Sequence, residues 1–244
     1  MRGPLQRRPS LNLLAFDTST ETLSIALAGP REAPFLHVGT GGAQASATLI
    51  PAILALLEEA GLVLRDLDAI VFGSGPGSFT GLRTACSVAQ GLALGAGVPV
   101  LAVETLMAVA DEARLRTGAA DVLALLDARM DEVYLAHYLH DGRRWHRDGP
   151  VRLAKPEAVV EPAGALLAGN VFAVHGHRLP PGGARVDAAP AATALLRLAP
   201  ALLADGEGVP ADQALPLYVR DKVAQTTAER EAARAAARQD TMPP

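Results

Sequence analysis

Residues 13–27 read LLAFDTSTETLSIAL, and residues 123–137 read LALLDARMDEVYLAH. Each is an apolar run, an aspartate, a short polar turn and a second run with alternating apolar residues, the pattern of a β-hairpin. Superposing the two puts Asp17 on Asp127, an offset of 110 residues. A hairpin recurring at that distance predicts two lobes built on one plan by internal duplication.

The surrounding chain supports an α/β lobe in the first half. After the first hairpin, APFLHVG reads as a third strand. A helix follows over Gln44–Ala60, with Ser46 as its N-cap and Pro51 kinking or delaying its start. DLDAIVFG is a buried strand, Phe79–Ala96 a helix, VPVLAVE a strand, and Thr105 to about Arg116 a further helix. In the second half the expectations are a strand at Val151–Leu153 and a helix broken near Pro162. NVFAVHGH then reads as a strand, and an Ala/Leu helix runs from about Pro190 to Leu203. The expected domains are a flexible basic tail at 1–10, a first lobe at 11–104 that binds a partner, a second lobe at 105–225 and a charged tail at 226–244. The last segment of the second lobe is free to return to the first.

Half of the 244 residues are hydrophobic but only 4% are aromatic, so the core is built from Leu, Val and Ala. The formal charge is −4, and the stretch from Leu11 to Glu104 has three arginines and no lysine against eight acids. Such a lobe is a poor docking surface for a polyanion. The single cysteine, Cys86, rules out an internal disulfide and suits a reducing compartment; its apolar helical setting makes it a core residue. The apolar run behind the arginines of MRGPLQRRPS stops at Asp17, too short for a signal peptide, and no stretch approaches the ~20 apolar residues of a membrane span. A cytoplasmic protein with no membrane partner is expected.

The loop GSGPGSFTGLR (73–83) looks at first like a phosphate cradle. A Walker loop requires a lysine that this half of the chain lacks, and Gly73, Gly75 and Gly77 fit a dinucleotide fingerprint only in part. Gly75 and Gly77, flanking Pro76, can instead take positive φ and reverse the chain. Ser78 or Thr80 then caps the next helix, with Gly81 in its first turn. Along that helix Thr84, Ser87, Gly91 and Gly95 form a stripe of small residues, with Leu82, Val88 and Leu92 beside it. The Gln44–Ala60 helix is apolar nearly all round (Leu49, Ile50, Ile53, Leu54, Leu56, Leu57), more than one sheet face requires. Both helices are therefore expected to pack on two sides, the second side being another chain. No HExxH occurs. His175 and His177 share a strand face, and His137 and His140 make no convincing pair; all read as solvated or hydrogen-bonded imidazoles.

The two aspartate turns resemble the DxG[ST] hairpins of the sugar kinase, Hsp70 and actin superfamily, which hold ATP phosphates and a metal. Here Ser19 and Arg129 stand where glycine is wanted. Asp17, Thr18 and Asp127 are thus candidates for a vestigial phosphate grip, Asp17 equally for a plain turn-former. An ATP-dependent small-molecule kinase or ATPase using Asp17 and Asp127 is the alternative function. Four blocks, LAFDTSTETLSIAL, AIVFGSGPGSFTGLRTACSVAQGLALGAGVPV, LLDARMDEVYLAHY and LPLYVRD, together resemble the TsaB (YeaZ) family from Leu11 to Asp221. That resemblance implies two actin-like lobes and no catalysis by this chain alone. It implies work with TsaD, which carries the active site, and with the ATPase TsaE. Together they move threonylcarbamoyl from threonylcarbamoyl-adenylate to N6 of the adenosine 3′ to the anticodon. It also implies no cofactor on this chain, with ATP and a metal on the partners, tRNA met only through the complex, and a homodimer when the partner is missing. TsaD-like proteins carry a metal-binding HxxxH on the first-lobe helix; Gln44–Ala60 has no histidine, and Ala45 stands where relatives often keep one.

Overall fold

Among the described residues, 11–220, the computed structural model contains two five-stranded sheets of one topology. In the first, β1 (Leu13–Asp17), β2 (Thr22–Ala28) and β3 (Phe35–Thr40) form an antiparallel meander, and β4 (Ala69–Gly75) and β5 (Val100–Glu104) join parallel to β1. In the second, β6 (Asp121–Arg129), β7 (Glu132–His140) and β8 (Trp145–Ala154) make the meander, and β9 (Leu166–Gly169) and β10 (Arg185–Asp187) the parallel extension. The orders β3-β2-β1-β4-β5 and β8-β7-β6-β9-β10 are the same, and Asp17 and Asp127 sit at equivalent hairpins. The fold is two α/β lobes on one plan. The tails predicted at 1–10 and 226–244 lie outside the described residues.

The helices are not duplicated so faithfully. The first lobe has α1 (Ala45–Ala60) before β4, α2 (Phe79–Ala96) after it and α3 (Thr105–Thr117) after β5. At the corresponding places the second lobe has a single 3-10 turn at Pro156–Ala158, the one-turn α4 (Phe172–His175) and the full-length α5 (Ala192–Ala204). Two expectations are corrected here. No helix forms around Pro162, and NVFAVHGH is α4 and its flanks rather than a strand, the strand being the upstream LLAG. Val171, His175 and Leu179 are the buried residues of that segment, four apart, which is a helical spacing. Val151–Leu153 belongs to the longer β8. α1 begins at Ala45, so Ser46 lies inside its first turn, and Gln44 at the cap position makes no side-chain cap bond. Pro51 sits within α1. The carbonyl deprived of its donor by Pro51 is that of Ala47, which is exposed and open to water.

α1 and α2 cover one face of the first sheet, where Leu49, Ile53, Leu56 and Leu57 with Ala85, Cys86, Ala89 and Ala93 meet Leu14, Phe16, Ile25, Ile70 and Phe72. α3 and α5 lie between the two sheets in one continuous core, which joins Leu13, Val71 and Leu101 to Val109, Leu195 and Val122. α5, from the second half of the chain, packs on β1 and β2 of the first sheet, and α3 packs on β6 of the second. Arg197 of α5 ties the two helices together through Asp111 at 2.7 Å and Glu112 at 2.6 Å. Beyond α5, Val209 bridges to Val100 of β5. The Ala214 carbonyl accepts from Gln90 of α2 at 2.9 Å, and the Leu217 amide donates to Ser74 at 2.7 Å. Residues 214–220 thus form a strap running back along α2 toward its first turn.

The first hairpin and the 73–83 loop interlock. A Cβ at Gly73 would lie 1.8 Å from Asp17 Oδ2, one at Gly77 2.6 Å from the Ser19 carbonyl oxygen, and one at Gly81 1.9 Å from the Thr18 carbonyl oxygen. Two hydrogen bonds close the joint: the Ser78 amide to Ser19 O at 2.8 Å and Thr18 Oγ1 to Gly81 O at 2.7 Å. Only Gly75 takes a positive φ, +119°, beside a cis peptide to Pro76. Gly77 is required for close approach instead, which corrects its expected role. Ser78, not the exposed Thr80, caps α2 by accepting from the Gly81 amide at 3.4 Å.

Asp17 is 1% exposed. Its Oδ1 accepts from the Ser19 amide at 2.9 Å and the Ser19 hydroxyl at 2.6 Å, while Oδ2 has no hydrogen-bond partner among the described residues. Burial pushes its carboxyl above the ordinary aspartate range, and the Ser19 bonds pull it partly back. The folded state therefore holds this proton more tightly than the unfolded chain does. Stability on this account is highest at acid pH and falls as pH rises through the window between the unfolded value, 3.8, and the higher folded one. Asp17→Asn should remove that component, so its stability relative to the parent rises across the same window in urea titrations at stepped pH. Gly81→Ala should cost about 3 kcal/mol or more in the same assay, because its new methyl meets rigid backbone at Thr18. A cost under about 1 kcal/mol would contradict the interlock.

Candidate functional site

Two surfaces of the fold can act on other molecules: the cleft between the hairpins and the outer face of α1 and α2. The cleft, about 420 Å3, is walled by Ser19–Thr22 of the first hairpin, Leu126–Arg129 of the second, Pro76–Phe79 of the loop and Leu217–Arg220 of the strap. Asp127 lines it. Asp17 and Thr18 do not, since both are buried in the interlock. Of the candidate phosphate ligands, the structure brings one to the cleft.

Asp127 is already occupied. It accepts from the Arg129 amide at 2.9 Å and pairs with the Arg129 guanidinium at 3.3 Å, and buried His175 approaches it at 3.4 Å. Arg129 also reaches across the cleft to Glu21 of the first hairpin. Arg129, Met130 and Asp131 all adopt left-handed φ, 53° to 61°, a conformation that favours glycine and that this turn takes with side chains attached. An incoming phosphate would find Arg129 held between two carboxylates and two acids where it needs amides. Arg220 of the strap pairs with Glu132 at 2.7 Å and donates to Ala128 O. His175 lies on α4 and His177 beyond it, so the expected shared strand face does not exist. His137 instead bridges Asp121 at 2.7 Å and Asp148 at 3.1 Å, and His140 stacks edge-on against Trp145. No group of three or more His, Cys, Asp or Glu among the described residues could hold a metal.

On the helical face, the expected interface residues divide. Leu49, Ile53, Leu56, Leu57 and Leu82 are 0–5% exposed and fill the lobe's own core, so they are withdrawn from the outward set. A helix apolar all round does not reveal which side faces in. Ser87, Gly91 and Gly95 are exposed, with Thr84, Val88 and Leu92 half-buried beside them. Among the described residues, a Cβ at Gly91 or Gly95 would meet nothing within 4 Å. Ile50 and Leu54 on α1 (41% and 50% exposed) and Leu94 on α2 (79%) add apolar area. No charged residue occurs from Gln44 to Leu57 or from Thr84 to Ala96. The face is smooth, small-surfaced and uncharged.

At its edge sits a cluster that sequence reading missed. The Arg83 guanidinium lies 3.8 Å over the Phe79 ring and donates through Nε to Tyr218 Oη at 3.0 Å, the two rings being 5.7 Å apart. The only hint was that Arg83 and Tyr218 fall in two of the blocks quoted above; the strap that joins them is a long-range feature. No helix among the described residues is long and apolar enough to cross a membrane.

Comparison with known proteins agrees with this architecture. Residues 41–229 match the family described as TsaD: tRNA N6-adenosine threonylcarbamoyltransferase. The tRNA threonylcarbamoyladenosine biosynthesis protein TsaB of Escherichia coli is 36% identical, over 88% of this chain and 96% of its own length. That of Haemophilus influenzae is 42% identical over 54% of this chain and 56% of its own. The solved structure of YeaZ from Pseudomonas aeruginosa superposes with a TM-score of 0.79 at 41% identity, over 86% of this chain and 100% of that one. Duplicated actin-like lobes, the GPGSFTGLR loop locked under the first hairpin and these likenesses lead to one conclusion: the chain belongs to the TsaB (YeaZ) family of tRNA threonylcarbamoyladenosine biosynthesis.

Proposed function

We propose that this chain is a non-catalytic subunit in the formation of N6-threonylcarbamoyladenosine on the adenosine 3′ to the anticodon. It acts with TsaD, which carries the active site, ATP and the metal, and with TsaE, in the cytoplasm. The observation that carries the reading is the uncharged outer face of α1 and α2, with open space at Gly91 and Gly95. A glycine within a helix costs roughly 0.8–1 kcal/mol relative to alanine, and nothing among the described residues lies within 4 Å of a Cβ built at Gly91 or Gly95. Close approach by the backbone of a partner helix gives them a use. In the absence of TsaD the same face would associate with a second copy of the chain. The acid excess of the first lobe and the pre-paired Arg129 favour tRNA and nucleotide being handled by the complex.

Gly91→Leu distinguishes partner binding from stability. Because the new side chain has free space and helix propensity improves, the isolated variant should be as stable as the parent or about 0.5–1 kcal/mol more stable. Its affinity for TsaD should fall at least 100-fold in calorimetry, and reconstituted tRNA modification should fall with it. Assembly at parental affinity would remove the interface assignment. The lone chain titrated with Mg-ATP should show no binding below millimolar concentration. Tight binding abolished by Asp127→Asn would favour the kinase or ATPase reading instead.

A further inference from the structure

Arg83 is placed against the field of its own helix. It is the fifth residue of α2, near the positive end of the helix dipole, and the first turn of α2 contains no acidic residue. A cation there is unfavourable unless something compensates. Among the described residues no carboxylate pairs with Arg83; its one hydrogen bond is through Nε to the Tyr218 hydroxyl. Its side chain is nevertheless held. The guanidinium carbon lies 3.8 Å from the centre of the Phe79 ring and 5.9 Å from that of Tyr218, and Tyr218 is brought there by the strap. The two terminal nitrogens form a fork with no partner among the described residues, on an exposed residue adjoining a surface that is otherwise uncharged from Thr84 to Ala96.

We infer that Arg83 receives a carboxylate of the partner subunit and sets the register in which the partner's helix lies along α2. This rests on the docking face proposed above and adds what orients it. An uncharged stripe of small residues permits close approach but tolerates sliding by a turn. A single pre-oriented guanidinium at one end of the stripe fixes the position, because a planar fork accepts a carboxylate in one geometry. An incoming carboxylate would also meet the positive end of α2, so the helix and the arginine act in the same sense.

The test titrates the full chain and its variants with the TsaD subunit of the same organism at several salt concentrations. Arg83→Met, which keeps a long apolar stem over Phe79, should weaken binding at least about 30-fold and flatten the salt dependence, with the melting temperature of the isolated variant unchanged. Arg83→Lys should rescue little of the loss, since an ammonium neither stacks nor forks. The inference is overturned if Arg83→Met binds within threefold of the parent or keeps the parental salt dependence, or if Arg83→Lys restores full affinity. That failure is separable from failure of the docking face. In the first case Gly91→Leu still blocks binding; in the second it does not.

Discussion

The close fit of the Asp17–Ser19 turn into the glycines of the 73–83 loop is the constraint on which the rest of the molecule depends. Three backbone positions lack side chains because the turn fills the space, and the Thr18 and Ser19 bonds fix where α2 begins. The direction of α2, the presentation of its outer face and the route of the strap all follow from that joint. It also explains why the loop is rich in glycine. Its concavity is occupied by the protein's own hairpin, and Asp17 is sealed within the contact. In this fold a glycine-rich strand–helix turn marks close packing between two segments of the chain.

The duplication is complete in the sheets and partial in the helices, and the asymmetry separates structural from functional demand. Both lobes need five strands and a helix in the shared core, which α3 and α5 supply. Only the first lobe keeps full-length helices on its outer face. The second covers its equivalent face with a 3-10 turn, α4 and the segment to Leu179, and Val159, Val171 and Leu179 suffice to seal it. A sheet of this kind can therefore be closed with far less than two long helices. The extra length and apolar area of α1 and α2 exceed what the fold alone requires, in keeping with a docking role.

The repeated hairpins made the sheets legible, since an apolar run, an aspartate turn and a second largely apolar run recur 110 residues apart. Long helices were equally plain. What was lost are the short elements. Four residues of α4 carry too little periodicity to separate helix from strand, and LLAG of β9 looks like any apolar run. The candidate site was half legible. The small-residue stripe of α2 could be read from spacing alone, but α1 is apolar on every side, so the assignment of Leu49 and Ile53 to the outside had no basis in pattern. The cleft and the edge of the helical face depended on pairings that span over a hundred residues, Arg129 with Glu21 and Arg83 with Tyr218, which local pattern does not show.

The strap has a consequence for how the molecule is made. α2 is synthesised early, yet the backbone that lies beside it, from Ala214 to Tyr218, leaves the ribosome more than a hundred residues later. α5, which seals the back of the first sheet, arrives nearly as late. A nascent first half thus leaves uncovered the face of its sheet on which α5 later packs, and the first lobe is completed only as the second is.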